Sequence, residues 1–127
     1  MTTRAATGSG IVPYQAYSDK AKCPAPQACT VTFPAITGTG VFIQHVSCVF
    51  EIKTGADVAY AEIESDGQSG FNMLSTNKLT AAGGGFLYAA NAQTDLFIDA
   101  GAAAQIVIVA TGKKMTGMVC TISGFHV

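Results

Sequence analysis

The chain has 127 residues, 49% hydrophobic and only 12% charged, with a formal net charge of −1, against a charged share of about 25% in ordinary soluble domains. That length fits one domain with its own core, and the seven basic residues are scattered except for Lys113-Lys114, which excludes the clustered basic footprint that nucleic-acid binding requires. No apolar run approaches the roughly 18 to 20 residues of a membrane span, so membrane insertion is not expected.

Residues 1–28 are rich in Ala, Gly, Ser, Thr and Pro and hold no sustained period, so they read as a loose N-terminal arm ahead of a single domain at 29–127. A short strand is expected at 29–33, closed by Pro34 and the turn Gly38-Thr39-Gly40. The longest run of β-branched and aromatic residues follows, from Gly40 to Ile52, and reads as one long central strand. Its even positions Phe42, Val46, Cys48, Phe50 and Ile52 form an apolar row interrupted by Gln44, so this row is expected to face the core and Val41 and Ile43 the other side. A turn over Lys53-Thr54-Gly55-Ala56-Asp57 leads to a return strand at 58–65, where Val58, Tyr60, Glu62 and Glu64 share one face and Ala59, Ala61 and Ile63 the other. Short edge segments are expected at 71–74 and 78–80, a flexible loop at 81–85, strands at 86–89, 94–99 and 105–110, and a last strand at 118–127. The best helical stretch, 100–104, is too short to stand alone. About eight strands with Gly-rich turns give an all-β fold, an antiparallel β-sandwich of jelly-roll type.

Val31-Thr32-Phe33-Pro34, then Phe42-Ile43-Gln44-His45-Val46-Ser47, and finally Cys120-Thr121-Ile122-Ser123-Gly124-Phe125-His126-Val127 together resemble a loose group of small, largely uncharacterised bacterial β-sandwich proteins, often exported. In that group a strand ending in Pro leads through a Gly turn into a long strand, and the chain closes on Ser-Gly-aromatic-x-Val. The resemblance implies a jelly-roll-like sandwich and carries no active site to transfer.

No catalytic, cofactor or metal set is nominated, and the chain is read as non-enzymatic. His45 and His126 lack the His-x-His spacing of a metal-binding cupin, and no Gly-x-Ser-x-Gly elbow occurs. The acids at Glu62, Glu64 and Asp66, and at Asp95 and Asp99, read as solvated strand faces; an enzyme would require Glu62 or Glu64 to meet Asp95 or His45 in one pocket. Gly83-Gly84-Gly85 precedes a strand and not the helix that a phosphate loop needs. Cys48 and Cys120 are expected to be buried neighbours if the first and last long strands pair, either bridged or as thiols. Cys23 and Cys29 flank Pro24 and Pro26 and would close a small loop if the protein is exported. The even cysteine count leans towards an oxidising compartment, although the first ten residues show no h-region of a signal peptide.

Two function classes remain. The first is a non-catalytic structural or interaction module that self-assembles, as an exported surface protein or a virion component would. Its expected state is a closed homo-oligomer, with a trimer ranked ahead of a dimer because compact jelly rolls of the tumour-necrosis-factor-like and C1q-like groups, which the architecture resembles, commonly pack as trimers. Val41, Ile43 and Tyr60 are the candidate contacts. The alternative is a carbohydrate-binding module; glycan sites usually use exposed aromatics, and the chain has no Trp and four Tyr.

Overall fold

A computed structural model describes residues 12–20, 23, 28–66, 71–111 and 115–127. They form nine strands: β1 Val12–Lys20, β2 Ala28–Thr32, β3 Val41–Lys53, β4 Asp57–Ser65, β5 Phe71–Met73, β6 Ser75–Ala82, β7 Gly85–Ile98, β8 Ala104–Thr111 and β9 Met115–His126. Two antiparallel sheets result, with strand orders β1-β9-β3-β7-β6 and β2-β8-β4-β5. The chain pairs as one long hairpin, β1 with β9, β2 with β8, β3 with β7 and β4 with β5. Successive pairs alternate between the sheets, which makes this an all-β jelly-roll sandwich, and β6 is an added strand beside β7.

The lead-in expected to be a loose arm is, over Val12–Lys20, an edge strand of the larger sheet, in continuous register with β9. Its half-buried side is Tyr14, Ala16 and Ser18, and two of those three are too small to write an apolar period into the sequence. The rest of that segment, apart from Cys23 and Ala28, lies outside the described residues. The two strands expected at 86–89 and 94–99 are one strand, β7. Ala90-Asn91-Ala92-Gln93 holds neither Gly nor Pro, and the small Ala90 and Ala92 fit the inner face between larger neighbours. The Gly83-Gly84 pair is a two-residue hairpin turn between β6 and β7, with φ of 48° and 87°, the left-handed pair that such turns demand.

The central strand contains a bulge. Along β9, Ile43 pairs with Gly124 and His45 with Ser123; along β7, Ile43 pairs with Leu96 and His45 with Gln93. Two residues, Gln44 and His45, therefore stand outside between the inward Ile43 and the inward Val46, and the alternation reverses there. Val46, Cys48, Phe50 and Ile52 do face the core, but Phe42 does not. Val41 and Ile43 are each 0% exposed, so they belong to the core of a single copy and are withdrawn as contacts between copies. A second irregularity, at Ala59, shifts β4 against β8 between Val58 and Tyr60. It leaves Val58 half-buried against the core and Tyr60 outside at 41% exposure.

Opposing rows fill the space between the sheets: Val46, Phe50, Ile52, Ile98 and Ile122 from the larger, Val31, Ile63, Ile106 and Ile108 from the smaller. Each such side chain contributes about 1.5–3 kcal/mol through removal from water. Cys48 and Cys120 are direct partners across β3 and β9 and are joined by a disulfide, both 1% exposed. A second disulfide joins Cys23 to Cys29 on β2. The Cys23 amide donates to the Thr116 carbonyl at 2.9 Å, and the Ser18 hydroxyl donates to the Thr32 carbonyl at 2.9 Å, so the crossing from one sheet to the other is held at several points.

The two bridges close loops of unequal size, with sequence separations of 72 and 6. On the chain-entropy model, replacing Cys48 and Cys120 by Ala is expected to cost about 4 kcal/mol and replacing Cys23 and Cys29 about 2 kcal/mol. Guanidinium unfolding of the two double variants measures both losses, and the reverse order would contradict the loop account.

Candidate interaction face

The outward side of the larger sheet is ordered by register into rows that cross its strands. At one end, Pro13 pairs with Phe125, Phe125 with Phe42, and Phe42 with Phe97. The three rings pack together, with centroids of Phe42 and Phe97 5.2 Å apart and of Phe42 and Phe125 5.7 Å apart. All three phenylalanines are only half-buried. Two glycines permit this packing: a Cβ on Gly40 would overlap the Phe97 ring, and one on Gly124 would overlap the Phe42 carbonyl. The bulge is what turns Phe42 outward to join the other two.

The next rows are neutral and polar: Gln15, Ser123, His45 and Gln93, then Tyr17, Thr121, Ser47 and Asn91. Tyr17 is 59% exposed. At the bulge, Gln44, His45, Gln93 and Thr94 line a hollow of about 350 Å³. The Thr94 hydroxyl donates to the Ile43 carbonyl at 2.6 Å, which ties β7 to β3 at the register slip. Gln44, His45 and Gln93 have no side-chain partner among the described residues. At the far end, Val49 and Val119 pair and remain exposed. With Leu87, Gly117, Asp19 and Glu51 they line a shallow depression of about 400 Å³. The outward positions of β3 and β9 between Val49 and Phe42 carry no Asp, Glu, Lys or Arg.

The smaller sheet presents a different surface. Glu62 and Glu64 pair with Val107 and Gln105 on its outer side, with Tyr60 beyond them. Asp95 and His45 stand on the larger sheet, across the full thickness of the sandwich, so the carboxylate pairing that an enzyme reading required does not form. Among the described residues, no group of three or more His, Cys, Asp and Glu side chains converges to hold a metal. The sequence reading passed over Phe97, Phe125, Val49 and Val119. Phe125 was visible in the closing motif, but its alignment with Phe42 depends on the bulge.

No protein-family model matches this chain, and no curated protein does. Among solved structures, the family 3a carbohydrate-binding module from the cipA scaffolding of Clostridium thermocellum is similar, with a TM-score of 0.35 and 13% identity over 84% of this chain and 74% of that one.

Two measurements follow from these contacts. Thr94→Val keeps the shape but removes the hydroxyl that donates to the Ile43 carbonyl, and is expected to cost about 1 kcal/mol in chemical unfolding; an unchanged midpoint would mean the hydroxyl is dispensable. The Glu62 carboxyl is held above the usual carboxylate range, first by burial and then by the charge of Glu64. The folded chain thus binds this proton more tightly than the unfolded one, so stability falls as pH rises from the ordinary carboxylate range through the raised value. Glu62→Gln is expected to raise the unfolding midpoint near pH 7 and to leave it unchanged near pH 3, below both values.

Proposed function

We propose that this protein is a non-catalytic jelly-roll module that works by assembling with copies of itself into a closed homo-oligomer, as an exported surface protein or a virion component would. The observation that carries this reading is the outward row of Phe42, Phe97 and Phe125 on a sheet whose β3 and β9 carry no full charge on their outward positions between Val49 and Phe42. Large apolar side chains grouped on an outer sheet face mark a surface that is covered in use. The low charge of the whole chain supports the same reading, since repulsion between copies is weak at a net charge of −1. The two disulfides are compatible with an extracellular setting.

A second reading is a carbohydrate-binding module. The observation in its favour is the bulge hollow, where Gln44, His45 and Gln93 offer amide and imidazole donors and acceptors beside the phenylalanine row, a combination suited to sugar hydroxyls and the apolar faces of sugar rings.

Light scattering on the purified chain separates the two. Self-assembly predicts a mass that is a whole multiple of the chain mass and constant across micromolar concentrations; a monomer at those concentrations overturns it. Specific retention of neutral glycans by a monomer would establish the second reading instead.

A further inference from the structure

We infer that the outer face of β1-β9-β3-β7-β6 is the contact between copies and that a second copy of this chain covers it face to face, giving a two-fold dimer. The inference rests on the self-assembly reading above and adds the surface, the occupant and the stoichiometry.

Area is the first argument. Five strands spaced about 4.8 Å apart, each crossing the face with about ten residues at 3.3 Å, give a footprint of roughly 700 Å², close to the ~800 Å² per partner of a standard stable interface. A full sheet face is thus large enough to hold a dimer, without help from loops.

Composition is the second. Aromatic residues are enriched and full charges depleted in the interior of protein contacts, with polar and charged groups at the rim. Here the phenylalanines stand on β3, β7 and β9, while Asp19 lies on the edge strand β1, Glu51 near the far end of β3, and Asp95 alone on β7, between Phe97 and Gln93. The other sheet does not meet this condition, because Glu62 and Glu64 stand on the middle of its outer face, on β4. Burying two adjacent carboxylates without partners is strongly unfavourable.

Symmetry is the third. The face is apolar at both ends, Phe42 with Phe97 and Phe125 at one and Val49 with Val119 at the other, with neutral polar rows between. A two-fold axis in the contact plane, perpendicular to the strands, lays the phenylalanine end of each copy on the valine end of its partner. The neutral rows then meet each other, and Ser47, Thr121, Asn91 and Gln93 supply hydrogen bonds across the axis. Such an isologous contact closes at two copies, so the dimer replaces the trimer ranked first from architecture alone.

The test is the mass of the full chain in solution by light scattering, for the unmodified protein and for Phe42→Glu, Val119→Glu and Tyr60→Glu. Circular dichroism and a non-reducing digest check that fold and disulfides persist. The expected result is twice the chain mass for the unmodified protein and for Tyr60→Glu, with dimerisation roughly 100-fold weaker in Phe42→Glu and Val119→Glu. If Phe42→Glu fails to fold, Val119→Glu decides alone, since that side chain is already 36% exposed. A monomeric unmodified protein overturns both the self-assembly reading and this inference. A trimer, or a dimer that survives Val119→Glu, overturns this inference and leaves self-assembly standing.

Discussion

The Ile43 carbonyl is the point on which the arrangement of the larger sheet depends. A strand of regular pleat would pair it with a neighbour, and Phe42 would then enter the core. The register slips there on both sides, with one extra residue in β3 against β9 and one in β7 against β3, and the Thr94 hydroxyl donates to the Ile43 carbonyl at 2.6 Å across the slip. Removing that hydroxyl costs what a lost hydrogen bond costs. The bulge also draws β9 close: Gly124 lies against the Phe42 carbonyl with no room for a side chain. Thr94 on β7 and Gly124 on β9 therefore fix one irregularity in β3 from both sides, and the bulge determines which residues of β3 belong to the core and which to the surface.

From this constraint the two faces of the sheet acquire their separate characters. Inside, Val41 and Ile43 join Val46, Phe50 and Ile52 in one continuous apolar layer, and Cys48 meets Cys120 directly across the strand pair. The disulfide lies within this layer and links strands that are distant in sequence, so it restrains the pairing between the middle and the end of the chain, which is the slowest kind of contact to establish entropically. Outside, the same slip brings Phe42 into line with Phe97 and Phe125. The ring cluster thus follows from the backbone solution that completes the core; a regular β3 would have dispersed it.

Much of the architecture was legible in the sequence because most of its strands obey a plain period of two. β8 shows this best: Ala104, Ile106, Ile108 and Ala110 face in and the residues between them face out. The central strand was found at its right length from β-branched and aromatic residues alone. Its faces were misread because a bulge writes no composition signal: Phe42-Ile43-Gln44-His45 is apolar at both parities, and the choice between them is made by Thr94, fifty-one residues away. β4 failed in the same way at Ala59. β1 was missed for a different reason, since a strand that covers an edge with Ala16 and Ser18 needs little hydrophobicity. The cysteine arrangement was legible in part, because Cys48 lies beyond the bulge, where the even positions do point inward.

The surface can be understood by the same physical reasoning. A sandwich of this size must present two outer sheet faces, and solubility ordinarily comes from charge on both. Here the smaller sheet carries Glu62 and Glu64 together on its outer side, where burial and the charge of Glu64 disfavour the ionisation of Glu62, while on the larger sheet the outward positions of β3 and β9 between Val49 and Phe42 carry amides, hydroxyls, His45 and phenylalanines and the acids Asp19, Glu51 and Asp95 stand around them. Ser47, Thr121 and Val119 stand on that outer side and none of them belongs to the core, so their lack of charge is set by the surface of the sheet and not by packing between the sheets.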